Sequence, residues 1–219
     1  MVVKLLPGFG PVFLRAICNA DGAVLLSSTM EQGLRQILAE REVKRIRDEN
    51  RELSAVLVPV YRRQEQYYIL FTKRTEQVKV HKGQISFPGG AYEEGDGTLL
   101  GTALRECAEE LGITVDSIEI LGALDDVVTQ TSSYIISPFV AFSPWPYQFK
   151  VNTQEIAELL EVPLSALLDE NCRHGEAEFI NDEVITTYFY HYQDKVIWGA
   201  TAEILRQLLD IVVQVMEGG

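Results

Sequence analysis

The sequence has few cysteines and no pattern that pairs them. Cys18, Cys107 and Cys172 are the only cysteines among 219 residues, and no Cys-x-x-Cys motif occurs. Small secreted domains held together by disulfides carry more cysteines, and zinc sites need closely spaced ligands. The sequence therefore predicts neither a disulfide scaffold nor a structural zinc site. We expect reduced thiols in a cytoplasmic protein.

The sequence also lacks an excess of positive charge and any long apolar run. There are 19 Lys and Arg against 32 Asp and Glu, which gives a net charge of −13. Such a surface repels nucleic acid and anionic membrane faces, so neither is expected as a partner. A membrane-spanning helix needs about 18 consecutive apolar residues, and no run in the sequence is that long. A signal peptide needs a continuous apolar stretch, and prolines and glycines interrupt the apolar N-terminus. A small anionic ligand stays open, because a bound divalent cation inverts the local charge.

Hydrophobic periodicity divides the chain into two parts. Residues 1–52 are predicted to form an N-terminal arm. An amphipathic helix is expected in it, from about residue 28 to 53, and the rest of the arm is not assigned a structure. Residues 53–219 are the predicted main domain. Its expected elements are strands over 55–61, 67–72, 117–124, 134–142 and 184–192, helices over 98–111 and 200–216, and short helical turns over 156–168. Strands without regular helical crossovers predict an α/β fold with a mixed sheet between helices.

The segment 105–113 carries an unusual set of carboxylates. At about 100° per residue, Glu106, Glu109 and Glu110 share one helix face, opposite an apolar face. Like charges this close repel, and Mg²⁺ or Mn²⁺, which prefer oxygen ligands, would relieve the repulsion. Arg105, one turn before Glu109, is positioned to orient that carboxylate. A solvated acidic face is the alternative interpretation of this helix.

A glycine loop precedes the acidic helix. The loop reads Phe87-Pro88-Gly89-Gly90, with 14 residues between Gly90 and Arg105. Glycine lets the backbone approach a ligand closely, so the Gly90 carbonyl is a candidate further metal ligand. An ordinary turn is the alternative, but the combination with the acidic helix favours a joint site.

These two motifs resemble the box of the Nudix hydrolases, G-x5-E-x7-R-E-U-x-E-E-x-G-U, in which U is aliphatic. Residues 105–113 match every fixed position of its second half. The loop after Gly90 is one residue longer than in the general box, and the early box glutamate falls near Asp96 or Gly97. The longer loop is similar to that of the coenzyme A pyrophosphatase branch.

Flanking segments are also similar to the coenzyme A pyrophosphatase branch. Its signature L-L-T-x-R-[SA]-x3-R-x3-G-x3-F-P-G-G is read here, with intact spacing, as Leu70-Phe71-Thr72-Lys73-Arg74-Thr75, then Lys79, Gly83 and Phe87 to Gly90. Two positions, Thr75 and Lys79, depart from the signature. Downstream, Asn152-x-x-Glu155-Ile156 and Ile197-Trp198-Gly199 resemble the branch as well, so the similarity covers about residues 53–210.

The resemblance implies a fold and a set of residue roles. The fold is a Nudix-type α/β/α sandwich, and the cofactor is Mg²⁺ or Mn²⁺. The implied metal ligands are Glu106, Glu109, Glu110 and Gly90, the implied catalytic residues are Arg105, Glu109 and Glu155, and the implied substrate-binding residues are Arg74, Lys79, His81 and Gly89. For Glu155 the implied role is general base, and the alternative is an acid that complements a helix dipole.

The implied reaction is hydrolysis of coenzyme A or acyl-coenzyme A to 3′,5′-ADP and (acyl-)phosphopantetheine. A Nudix hydrolase of another nucleoside diphosphate derivative, such as ADP-ribose, NADH or a nucleotide sugar, is one alternative. A non-catalytic nucleotide-binding module is another. Nudix enzymes are often dimers, and the N-terminal arm is a candidate for the contact in a homodimer.

Overall fold

The computed structural model describes residues 22–76, 83–130, 132–180 and 183–218. The helices of these residues are α1 (Gly22–Glu40), α2 (Leu99–Leu111), α3 (Leu164–Leu167) and α4 (Gly199–Gly218), with 3-10 turns at Glu94–Asp96 and Val115–Ser117. The strands are β1 (Glu52–Arg63), β2 (Gln66–Arg74), β3 (Ile85–Ser86), β4 (Gly89–Ala91), β5 (Glu119–Ala123), β6 (Val127–Val128), β7 (Tyr134–Phe142), β8 (Ile156–Pro163), β9 (Arg173–Ile180), β10 (Glu183–Tyr192) and β11 (Lys195–Ile197). Within the described ranges, no helix is both long and apolar enough to cross a bilayer.

The main sheet is mixed, as the sequence predicts. Its strands follow the order β3-β2-β1-β7-β5, with β4 added to β1, β6 to β7 and β8 to β2. The central pair, β1 and β7, is parallel, whereas β2 and β4 pair with β1 in antiparallel fashion. A second antiparallel sheet has the order β11-β10-β9.

Strand β1 is buried on both faces and separates two apolar cores. Ala55, Leu57 and Tyr61 face a core that contains the apolar side of α2. Val58 and Val60, at the alternating positions, face a larger core that contains side chains of α1 and α4. Helices therefore cover both faces of the main sheet, and the predicted α/β/α sandwich is confirmed.

Helix α2 begins and ends where the sequence predicts. Thr98 is the N-cap, and its side chain accepts a hydrogen bond from the Gly101 backbone N–H. Gly112 ends the helix in the left-handed conformation, and its N–H donates to the Ala108 carbonyl. Cys107 is buried in the core, as expected from its position on the apolar face.

The N-terminal helix differs from the prediction at its end. It stops at Glu40, and residues 42–48 are neither helical nor paired in a sheet. Two aspartates between β5 and β6 hold this segment: Arg41 contacts Asp125 at 2.6 Å, and Arg45 contacts Asp126 at 2.5 Å. Backbone N–H groups that a helix would use internally donate to the same carboxylates. The division of the chain between residues 52 and 53 stays a prediction.

The prediction of helical turns over 156–168 is wrong for its first half. Residues 156–163 form β8, which pairs antiparallel with β2, and only Leu164–Leu167 is helical. Ile156, Leu160 and Val162 are buried in this pairing. Pairing and burial against β2 therefore determine the conformation of this segment, and they override the local sequence pattern that suggested helical turns.

Candidate active site

The carboxylates of α2 lie on one side of the helix but differ sharply in burial. The Glu110 side chain is 4% exposed, that of Glu106 18%, and that of Glu109 60%. Glu110 therefore faces the sheet, Glu106 lies at the boundary, and Glu109 reaches into solvent. The helical-wheel argument predicts the common side but not this order.

The two glycines of β4 allow close contacts with neighbouring elements, Gly90 with α2 and Gly89 with β1. Gly90 pairs with Ala55 of β1. A Cβ atom on Gly90 would lie 2.3 Å from Oε1 of Glu106, and one on Gly89 would lie 2.3 Å from the Ala55 carbonyl oxygen. A side chain is thus excluded at Gly89, where it would meet backbone, and one at Gly90 would displace the Glu106 carboxylate, which lies directly against the β4 backbone.

Glu110 is a buried acid with an unusual environment. The pKa of Glu110 is raised to about 8, mainly by burial and also by the charges of Glu106 and Glu155, whereas Arg74 and a hydrogen bond from the Gly89 backbone oppose the shift. Arg74 Nη1 lies 3.8 Å from Glu110 Oε1. The other oxygen, Oε2, is buried without a hydrogen-bond partner in the described structure. A carboxylate oxygen in this state is suited to an additional positive ligand.

Glu106 and Glu155 belong to the same electrostatic group. Burial is the main cause that raises the pKa of Glu106, Arg105 lowers it, and Glu109 and Glu155 raise it. Because Glu155 acts on both Glu106 and Glu110, these three carboxylates lie close enough to interact. Glu155 comes from the loop before β8, so two separate parts of the chain contribute to this group.

Arg105 forms ion pairs with three carboxylates of the site. Its guanidinium contacts Asp96 at 2.6 Å, Glu106 at 2.8 Å and Glu109 at 3.4 Å, and it donates to the Ala91 carbonyl at 3.1 Å. The shortest contact is with Asp96, and the predicted contact with Glu109 is the longest. Arg105 therefore links α2 to the loop that follows β4.

Asp96 was not among the predicted site residues. Its Oδ2 atom accepts hydrogen bonds from the Glu93 N–H and the Thr102 hydroxyl, at 2.9 and 2.8 Å. These bonds and, above all, Arg105 hold the pKa of Asp96 well below its usual range. The sequence did point to Asp96, because the early glutamate of the Nudix box falls near this position.

The predicted substrate-binding residues are only partly described. Arg74 ends β2 beside Glu110, and its Nε atom is buried without a partner in the described structure. Gly89 lies in β4, next to Gly90. Lys79 and His81 lie outside the described residues.

The donor atoms of the site fit an oxygen-liganded divalent cation in two respects. All are carboxylate or carbonyl oxygens, which Mg²⁺ and Mn²⁺ prefer, and Glu110 offers an oxygen without a partner. Among the described residues, the side chains do not form a ready set of three or more His, Cys, Asp or Glu ligands. Glu106, in particular, is bonded to Arg105.

Comparisons with known proteins show the family to which the chain belongs. The NUDIX domain model matches residues 51–182. A protein described as the uncharacterized Nudix hydrolase NudL of Photorhabdus laumondii is 35% identical over 75% of this chain and 87% of its own length. Another protein of that description, from Yersinia pestis, is 37% identical over 71% of this chain and 77% of its own length.

A solved structure shares the fold. The MutT/nudix family protein from Enterococcus faecalis superposes with a TM-score of 0.51 at 15% identity, over 87% of this chain and 79% of that protein.

Nudix hydrolases generally use divalent metal ions such as Mg²⁺ or Mn²⁺. The matched domain and these relatives show that the chain belongs to the Nudix family and is a pyrophosphohydrolase that acts on a diphosphate substrate.

Proposed function

We propose that the protein hydrolyses the pyrophosphate bond of coenzyme A or acyl-coenzyme A, giving 3′,5′-ADP and (acyl-)phosphopantetheine. The observation that carries the proposal is the meeting of Arg74 and Glu110, with 3.8 Å between Nη1 and Oε1. Arg74 belongs to the signature of the coenzyme A branch and Glu110 to the Nudix box. Their contact places the Arg74 guanidinium, which is suited to bind a phosphate, next to the carboxylates that are suited to bind a metal ion.

The carboxylates of α2 are the proposed metal ligands. Glu106 and Glu110 would hold Mg²⁺ or Mn²⁺, with Glu109 as a further ligand and the Gly90 carbonyl beside them. When bound, the ion neutralises the pyrophosphate and lowers the pKa of a bound water. The partnerless Oε2 of Glu110 supports this assignment. Arg105 orients Glu106 and Glu109 through its ion pairs.

Glu155 is the proposed general base. Its charge acts on Glu106 and on Glu110, so its carboxylate lies within electrostatic reach of both. In this role it takes the proton of the water that attacks one phosphorus atom, while the other phosphate leaves. A base outside the metal-ligating helix remains free to change its protonation state during turnover.

The substrate contacts are proposed on the basic side of the site. Arg74 would bind phosphate oxygens, because a guanidinium is a suitable donor to them, and Gly89 stays proposed as a substrate contact from the resemblance. Lys79 and His81 stay proposed as further contacts from the resemblance. The absence of nucleic-acid and membrane partners, the cytoplasmic location and a homodimer also stay predictions.

A substrate panel tests the proposal. The full chain is assayed with Mg²⁺ and with Mn²⁺ on coenzyme A, acetyl-coenzyme A, dephospho-coenzyme A, ADP-ribose, NADH and a nucleotide sugar, with chromatographic identification of products. We expect the highest kcat/KM on coenzyme A or its thioester, with 3′,5′-ADP as a product. A higher kcat/KM on ADP-ribose or NADH would contradict the choice of substrate while leaving the diphosphate chemistry intact.

A further inference from the structure

The loop that carries Glu155 is fixed to the end of α2. The backbone N–H groups of Lys150 and Asn152 donate to the carbonyls of Leu111 and Glu110, each at 2.8 Å. The last carbonyls of a helix have no partner within the helix, so these two bonds satisfy groups that would otherwise need water. The loop therefore has a fixed position relative to the Glu110 backbone.

The same loop is fixed on its other side to the end of β2. The Thr75 N–H donates to the Glu155 carbonyl at 2.8 Å, and the Thr75 hydroxyl donates to the Gln154 carbonyl at 3.0 Å. Thr75 directly follows Arg74, which contacts Glu110. The backbone of Glu155 is thus held between the acidic helix and the basic strand end.

Asn152 occupies the centre of this loop. Its Oδ1 atom accepts from the Gln154 N–H, and its Nδ2 atom donates to Glu155 Oε1, both at 3.2 Å. Its carbonyl accepts from the N–H groups of Glu155 and Ile156. The Gln154 N–H needs an acceptor, so the amide orientation that directs Nδ2 at the carboxylate follows from the network.

We propose that Asn152 is a positioning residue that holds the Glu155 carboxylate in its catalytic orientation. This inference rests on the proposed function, in which Glu155 receives the proton of the attacking water. A glutamate side chain has several rotatable bonds, and an unheld carboxylate spends little time in any single orientation. The Asn152 amide fixes Oε1 and leaves Oε2 available to a water molecule.

The substitution Asn152→Asp separates positioning from loop structure. An aspartate keeps the oxygen that accepts from the Gln154 N–H, but it has no donor for Glu155. The matched control is Asn171→Asp, since Asn171 Nδ2 also donates to a carboxylate, that of Asp169, at 2.9 Å on an exposed loop. If Asn152→Asp does not fold, Asn152→Ser replaces it, because a serine hydroxyl can serve the turn but is too short to reach Glu155.

The experiment measures kcat, KM and the thermal midpoint for each variant, on whichever diphosphate of the panel is turned over fastest. We expect Asn152→Asp to lower kcat by about 10- to 100-fold with KM within about twofold of the parent. The thermal midpoint stays close to that of the parent, and Asn171→Asp behaves as the parent. In a Glu155→Gln background, Asn152→Asp lowers kcat no further, because its target is already removed.

Three results would overturn the inference, and they are distinguishable. An unchanged kcat in Asn152→Asp, with Glu155→Gln strongly impaired, contradicts positioning but keeps Glu155 as base. An equal loss from Asn152→Asp in both backgrounds shows that Asn152 acts by another route. Full turnover by Glu155→Gln removes the proposed base itself, and positioning with it.

Discussion

Arg105 binds Asp96 through two parallel contacts, Nε to Oδ1 at 2.6 Å and Nη2 to Oδ2 at 3.1 Å. A fork of this kind fixes the plane of the guanidinium, and the remaining nitrogen, Nη1, then points at Glu106 and Glu109. The orientation of Glu106 and Glu109, two proposed metal ligands, therefore depends on an aspartate in the loop before α2. This loop is the one that is a residue longer than in the general Nudix box.

Replacing Asp96 by Asn is expected to lower turnover by about tenfold, because Arg105 loses its fork and Glu106 its fixed partner. The control is Asp116→Asn, at an exposed position of the second 3-10 turn. Steady-state kinetics of the two variants provide the measurement. Equal kcat values for parent and Asp96→Asn would exclude a role for this pair in the reaction.

The same substitution carries a pH signature. The pKa of Asp96 is lowered in the folded state, mainly by Arg105, so its stabilising contribution is present above the ordinary value of 3.8 and is lost as pH falls below it. The thermal midpoint of Asp96→Asn should therefore lie below that of the parent at pH 7, and the gap should narrow below about pH 4. A gap that is constant over this range would contradict the ionic nature of the contact.

Gly90→Ala tests the close approach of β4 and α2. The new Cβ atom would lie 2.3 Å from Glu106 Oε1, so the carboxylate has to move. We expect at least a tenfold loss of kcat, because the displaced carboxylate is a proposed metal ligand, but little loss of stability, because the group that has to move is the end of a flexible side chain. Gly95→Ala is the control, since nothing lies within 4 Å of a Cβ at that glycine. Similar activity in both variants would show that the contact has no functional weight.

Leu34→Ala tests whether α1 is integral to the fold. Leu34 is 1% exposed and belongs to the core cluster that includes side chains of α4. Truncation of a fully buried leucine costs about 2–5 kcal/mol, which denaturant unfolding of the full chain measures directly. Gln32→Ala, at an exposed position of the same helix, should change the free energy of unfolding very little. A similarly small change for Leu34→Ala would mean that α1 is not packed as described.

Features determined by short stretches of chain could be predicted from the sequence. The start and end of α2 follow from Thr98 and Gly112, which act on backbone groups within a few residues. The common side of Glu106, Glu109 and Glu110 follows from the helical repeat alone. The mixed sheet follows from the succession of strand patterns without regular helical crossovers.

Features determined by distant partners could not be predicted. The exit of the chain from α1 depends on Asp125 and Asp126, about 80 positions later. Strand β8 depends on pairing with β2, which the pattern around Pro163 does not reveal. The burial of Glu110, in contrast to Glu109, depends on how β4 lies against α2, and no periodicity contains that information.

The most direct test of the central claim is the turnover of Glu110→Gln at saturating Mg²⁺. Glutamine keeps the shape of the buried side chain but lacks the charge that would hold a cation, and Glu119→Gln, at an exposed ion pair with Arg35, is the matched control. We predict that Glu110→Gln folds, that Mg²⁺ no longer raises its thermal midpoint, and that kcat falls by about 10³-fold or more, while Glu119→Gln keeps parental kcat. A kcat for Glu110→Gln within about twofold of the parent would contradict the assignment of the buried carboxylate to metal-dependent diphosphate hydrolysis.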